Sequence, residues 1–285
     1  VKLIIPTYRR VHCQKTLAHI PVACHKDVLL AIHADEWEAH KRHNPTVGLY
    51  VLPNHIKGYR QVMQHLWEAF NYTRWSYCDD DINGFLYRTY DPQAKQKVKA
   101  APLDEAGWMQ MLGDLHTALD DPEMGIVQPA PAWRIPALNS WPIRRNTQTV
   151  QFMAVDGPRL KHLDINWMHT PRCPDASVCL QVLSSGFKTA QLQQYKMQVS
   201  PMFAPGGNKS NEDHQGDDIQ LEIDSHAEMM RLYPRWVRPH PSKPGYAKYY
   251  WSQAYNDFMK EAEEDHLCAM DRLMGEEHWR ARGSP

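Results

Sequence analysis

Residues 75–85 read W-S-Y-C-D-D-D-I-N-G-F. Three consecutive carboxylates, Asp79, Asp80 and Asp81, close a short apolar run. Neighbouring carboxylates repel one another unless a cation or hydrogen-bond donors compensate them. Hard oxygen ligands suit Mg²⁺ or Mn²⁺, and these ions in turn hold phosphate oxygens. The chemistry on offer is metal-assisted handling of a phosphate or diphosphate. The competing reading is a solvated connection, with Asp80 and Asp81 turning the chain ahead of Asn83-Gly84.

The elements around this cluster read as an α/β domain. Lys2–Pro6 (KLIIP), Asp27–His33 (DVLLAIH) and Val47–Pro53 (VGLYVLP) are short apolar strands. Gly58–Phe70 places Val62, Leu66, Trp67 and Phe70 on one helical face. Trp75–Cys78 is a fourth strand, which the carboxylates follow. Beyond it, Leu103–Leu119 reads as a helix and Met124–Gln128 as a strand. Gln148–Val155 alternates as a strand up to the Asp156-Gly157 turn, and Phe187–Val199 holds another strand or two. Asp175–Ser185 is a helix closed by Gly186. Gly206–Asp218 is a polar loop, and the tail from Tyr249 is helical. Short strands alternating with helices imply a mostly parallel, mixed sheet with helices on its faces. In such sheets ligands bind outside the carboxyl ends of the strands, where the three aspartates lie.

The order of motifs is informative. A strand runs into P-T-Y-R-R (Pro6–Arg10), two more strands follow, then a helix opening K-G-Y-R (Gly58, Arg60), then a strand and D-D-D. This order resembles the GT-A-fold nucleotide-sugar glycosyltransferases. Downstream, P-D-A-S-V-C-L-Q-V-L-S-S-G-F is similar to that family's carboxylate-plus-helix segment, with Pro174 in place of its first acid. The P-T-Y-R-R, K-G-Y-R and C-D-D-D-I segments look similar to the phage-associated TET-associated glycosyltransferase branch.

The resemblance implies roles. Pro6, Thr7, Tyr8, Arg9, Gly58 and Arg60 would hold the nucleotide sugar, a UDP-sugar. Asp81 would be the direct ligand of Mn²⁺ or Mg²⁺, Asp79 the ribose or indirect contact, and Asp80 a contributor to either. Asp175 would be the general base on the acceptor hydroxyl; the plainer reading makes it a helix N-cap. His214, inside N-E-D-H-Q-G-D-D, would be a third metal ligand or else a surface histidine. Arg10 would face the pyrophosphate or uracil with Arg9 and Arg60, or else is an ordinary surface arginine. Residues 1–225 would be the catalytic domain, with a nucleotide-sugar half to about 85 and an acceptor half from 86. Residues 226–285 would pack on that domain.

The branch implies sugar transfer to a hydroxymethylated base, 5-hydroxymethylcytosine in phage DNA. Arg231–Trp251 fits a nucleic-acid partner, with five cations, six Tyr or Trp and no acid. The alternative there is aromatic packing of a C-terminal extension, with solvated charges outside. Other open readings are a protein, glycan or small-molecule acceptor, a metal-dependent nucleotidyltransferase, or a silent binding module. Over 285 residues the net charge is −1, which argues against a large DNA footprint. No apolar run approaches bilayer-spanning length, so no membrane partner is expected, and Val1–Pro6 is too short for a signal peptide. Six scattered cysteines without C-x-x-C spacing suit a reducing, cytoplasmic setting.

Overall fold

A computed structural model describes residues 2–90, 98–132, 142–199 and 218–281. Its centre is a ten-stranded sheet. The strands are β1 (Leu3–Pro6), β2 (Val28–Ile32), β3 (Gly48–Val51), β4 (Arg74–Cys78), β5 (Ile82–Tyr90), β6 (Val98–Pro102), β7 (Met124–Pro131), β8 (Ile143–Arg145), β9 (Phe152–Asp156) and β10 (Lys188–Val199). Their order is β3-β2-β1-β4-β9-β7-β10-β5-β6, with β8 also on β10. β5, β8 and β9 run against the other seven. The sheet is therefore mixed and mostly parallel, as the alternation of strands and helices implies.

Strand periodicity sends alternate side chains to opposite faces. Leu3, Ile5 and Cys78 join one core, together with Trp108, Met111 and Leu115 of α4 (Glu105–Ala118). Ile4, Trp75 and Tyr77 join the other, with Val62, Met63, Leu66 and Trp67 of α3 (Gly58–Phe70) and Val178 and Val182 of α6 (Pro174–Leu183). Full burial of side chains of this size stabilises by about 1.5–3 kcal/mol each relative to exposure. The opposite face of α6 meets a third cluster, with Met229 of α7 (Asp218–Leu232), Val237, Ala247, and Ala254 and Tyr255 of α8 (Trp251–Ala281). α6 is thus covered on both sides, which explains its nearly unbroken apolar sequence. The hairpin β11 (Val237–Pro239) and β12 (Ala247–Tyr249) forms a separate two-stranded sheet.

Three shorter helices complete the chain: α1 (Lys15–Ala18), α2 (Trp37–His43) and α5 (Gly157–Leu160). Among the described residues no helix is long and apolar enough to cross a membrane.

Asp80 and Asp81 do turn the chain, and Asn83-Gly84 lies within β5. Other details depart from the sequence reading. The strand expected over Gln148–Val155 begins only at Phe152, because Gln151 adopts a left-handed φ of 59°. Ile143–Arg145 forms a further strand, antiparallel to β10.

The sheet changes winding direction at β1. The chain moves outward through β2 and β3, then returns to the other side of β1 as β4. The loops leaving β1 and β4 therefore open side by side at the carboxyl edge, the crevice where α/β sheets bind ligands.

Candidate active site

The loop after β1 is fixed before any ligand arrives. Pro6 is buried as the last residue of the strand. The Thr7 amide donates to the Ala31 carbonyl at 3.0 Å, and the residue is wholly buried. Tyr8 is buried edge-on against His33, with ring centroids 5.0 Å apart. Arg9 takes a left-handed φ of 56°, a costly conformation for a residue with a Cβ. Its amide donates to Glu36 Oε1 at 2.8 Å, and its guanidinium lies 4.9 Å over the Tyr8 ring.

The three aspartates divide their labour. Asp80 points inward and is only 6 % exposed. It accepts from Thr7 Oγ1 at 2.7 Å and from Arg10 Nη1 in a short ion pair. Burial pushes its carboxyl up to about 6, against the pull of Arg10 and Thr7. Arg10 is thus not a surface arginine; it is 6 % exposed and ties the β1 loop to the β4 turn. Gln14 Nε2 braces the loop by donating to Thr7 Oγ1 at 2.9 Å and to the Arg10 carbonyl at 2.8 Å.

Thr16 staples the turn itself. Its hydroxyl donates to the Asp79 carbonyl and accepts from the Ile82 amide at 2.9 Å. The Asp79 amide donates to the Gln151 carbonyl at 2.8 Å.

Asp79 and Asp81 remain half-buried at the crevice. Asp79 Oδ1 accepts a short hydrogen bond from the Tyr77 hydroxyl, which lies 2.6 Å from the Tyr59 hydroxyl of α3. Burial, then the Asp79 charge, holds both phenols well above their ordinary pKa, so they stay protonated as donors. Asp175 and Asp81 also act on Tyr59, which places all three carboxylates in electrostatic reach of one buried hydroxyl. Asp81 Oδ2 lies 3.8 Å from Arg10 Nη1.

The other sequence candidates fall as follows. Gly58 opens α3 with φ 71°, a conformation that favours glycine. Arg60 Nη1 donates to the Met168 carbonyl at 3.2 Å, linking α3 to the segment that leads into α6. Asp175 is not the N-cap of α6. Cys173 holds that position, and Asp175 lies in the first turn, half-exposed. His214 lies outside the described residues.

The buried pairing of Arg10 with Asp80 escapes the sequence reading, and Glu36 stands in no motif there. Glu36 is buried, and its Oε2 has no hydrogen-bond partner. Burial raises its pKa even though the Arg9 amide donates to it. The A-D-E sequence just past the apolar β2 run is the available signal, since it sets carboxylates at the end of the strand beside β1.

The donor set can be tested against a divalent cation. Asp80 is committed to Thr7 and Arg10, which leaves Asp79 and Asp81 as hard oxygen ligands. Among the described residues no three His, Cys, Asp or Glu side chains are grouped to hold a metal ion. Two carboxylates, completed by substrate phosphate and water, are a set that Mg²⁺ or Mn²⁺ accepts. The site fits a metal shared with a diphosphate and not a closed protein cage.

Residues 1–207 match the family model described as TET-Associated Glycosyltransferase, well over half of the chain. The chain belongs to this family. Membership makes it a glycosyltransferase. No curated protein matches this glycosyltransferase in sequence. Among solved structures, the mannosyltransferase PcManGT from Pyrobaculum calidifontis, in complex with GDP-Man and Mn²⁺, superposes with TM-score 0.52 at 13% identity. That match covers 100% of this chain and 81% of that one, and it shows a shared fold. S. aureus TarS 1-349 matches with TM-score 0.45 at 12% identity. There 80% of this chain is covered, and the chain spans 65% of the TarS fragment.

Proposed function

We propose that this family member is a metal-dependent enzyme. It moves a sugar from a UDP-sugar to the hydroxymethyl oxygen of 5-hydroxymethylcytosine in DNA. The observation that carries the donor half is the Thr7–Asp80–Arg10 lock. It joins the P-T-Y-R loop to the D-D-D turn at the switch point, leaving Asp79 and Asp81 at the opening. The family's description as TET-associated supports the acceptor reading. PcManGT, on the same fold, was solved with a nucleotide sugar and Mn²⁺.

Asp79 and Asp81 would hold the cation, with His214 as a further ligand. When bound, the cation neutralises charge on the departing diphosphate. The chain's own residues do the rest. Arg9 and Arg60 face the diphosphate, for which a guanidinium fork is suited. Tyr8, Gly58 and the Pro6-Thr7 turn shape the nucleotide site, and buried Glu36 offers an acceptor oxygen beside Arg9. Tyr77 and Tyr59 keep Asp79 oriented. Asp175 takes the proton from the acceptor hydroxyl as its oxygen bonds to the anomeric carbon. The bond from that carbon to the diphosphate breaks, and UDP leaves. The setting is the reducing cytoplasm that the free cysteines suit.

Two measurements test this reading. A panel of UDP-sugars should raise the melting temperature in Mn²⁺ and not in chelator; no shift with any donor removes the basis of the proposal. With the best donor, digestion of hydroxymethylcytosine DNA and mass analysis should reveal a hexose-bearing nucleoside. Unmodified nucleosides beside proven donor binding would transfer the activity to a protein, glycan or small-molecule acceptor.

A further inference from the structure

The hairpin of β11 and β12 lies beyond the stretch that matches the family model. Its two faces differ in kind. Val237, Ala247 and Tyr249 turn inward to the third core cluster. Tyr249 stacks on Trp251 at 4.8 Å and 5°, and its hydroxyl lies 2.9 Å from His226 Nδ1. Arg238 and Lys248 turn outward and are exposed.

Arg238 and Lys248 are also direct cross-strand partners in the hairpin register. Like charges placed directly opposite each other destabilise a strand pair. Here both cations lie over the Tyr250 ring, the Arg238 guanidinium and the Lys248 ammonium each 5.1 Å from its centroid. The π-face attracts both cations without neutralising either. Among the described residues no carboxylate pairs with Arg238 or Lys248. Two other cations of the same segment are neutralised: Arg231 by Glu228, and Arg235 by Asp257 and Glu261. Exposed Lys243 adds a third positive charge at the hairpin tip.

The hairpin is also close to the candidate base. The Asp175 charge acts on the Tyr249 phenol, so the inner face of β12 lies within electrostatic reach of the first turn of α6. Cys173, the N-cap of α6, lies 3.9 Å from His226, which bonds Tyr249.

We propose that the β11–β12 hairpin is a phosphodiester clamp for the acceptor DNA, with Arg238 and Lys248 straddling a backbone phosphate over the Tyr250 ring. The clamp rests on the DNA-acceptor reading above. Two exposed cations on paired strands, both beside one aromatic ring, match a phosphate and its neighbouring sugar or base. The patch is local, which suits a chain with net charge −1.

The test is fluorescence anisotropy with a labelled duplex containing 5-hydroxymethylcytosine, across a salt series, without sugar donor. The Arg238→Gln/Lys248→Gln double variant should bind more weakly than the unmutated chain. Its slope of log affinity against log salt should be shallower by about two, one for each cation removed from the phosphate backbone. Arg231→Gln removes the same kind of charge from an ion-paired position and should bind as the unmutated chain does. All variants should keep the melting-temperature rise given by UDP with Mn²⁺. Equal DNA binding by the double variant overturns the clamp and leaves the DNA acceptor standing. An equal weakening in Arg231→Gln reduces the effect to general charge and also overturns the clamp. Should the unmutated chain bind no DNA while still responding to UDP, clamp and DNA acceptor fall together and the donor site remains. In the unmutated chain, bound duplex should shield Lys248 from amine acetylation, read by mass spectrometry. A Lys248 modified equally with and without DNA overturns the clamp without any variant.

Discussion

At the scale of single residues, the D-D-D turn separates holding from binding. Asp80 and Arg10 are a buried pair, and removing one partner from such a pair strands the other charge. Asp80→Asn should therefore lower unfolding free energy by about 3–5 kcal/mol, measured by urea denaturation. A drop under about 1 kcal/mol would mean that Arg10 finds another partner. Asp81 is half-buried at the crevice and should behave oppositely. Asp81→Ala should leave stability nearly unchanged and abolish Mn²⁺-dependent UDP binding by calorimetry. An unchanged isotherm would move the cation elsewhere. Side-chain identity is readable here in the sequence, but partnership is not. Arg10 meets Asp80 across 70 positions and the Arg9 amide meets Glu36 across 27, so no local pattern marks either pairing.

At the scale of elements, the sequence is clearest where an element's signal is local. The LIIP, VLLAI and W-S-Y-C cores of the first, second and fourth strands are almost wholly buried runs, and α3 carries its apolar face on its own residues. β5 is not legible, because Asn83-Gly84 carries a turn signature that its pairing with β10 overrides. The hairpin strands are hidden as well. Each has three residues, and Pro239, Pro241 and Pro244 interrupt any alternation. The D-G pair is legible as the end of β9, though it opens α5 directly and is not a turn, and the structure shows why glycine is required there. A Cβ on Gly157 would overlap the Thr73 carbonyl oxygen and the Asn71 backbone. Backbone cannot rotate away as a side chain can, so Gly157→Ala should cost about 1–3 kcal/mol or more. Thermal melting would show it, and a melting point equal to the parent's would mean that the preceding loop gives way freely.

At the scale of the whole molecule, stability is tied to pH through a histidine outside the site. His116 of α4 lies beneath β4, with Nε2 3.4 Å from Ser76 Oγ and its carbonyl accepting from Arg74. Burial, aided by the Arg74 charge, holds its pKa down to about 4. The unfolded chain takes up this proton below about 6.5 while the folded chain does not. Stability from this group is therefore full above about pH 6.5, falls as pH drops toward about 4 and levels off below. His116→Gln should flatten the dependence of urea midpoint on pH across that window. A variant curve parallel to the parent's would assign the acid sensitivity to other groups.

The strand that carries the aspartates, β4, has its two neighbours at very different distances along the chain. β1 precedes it, whereas β9 and the Gln151 carbonyl that holds the Asp79 amide come about seventy residues later. On the ribosome, at roughly 5–20 residues per second, that gap is several seconds. During this interval the nascent chain displays a bare, apolar strand edge of the kind that joins other chains. The catalytic turn cannot lock until the strand after Gln151 has emerged. A translation pause just before residue 151 should therefore favour aggregation, whereas one placed after residue 160 should not.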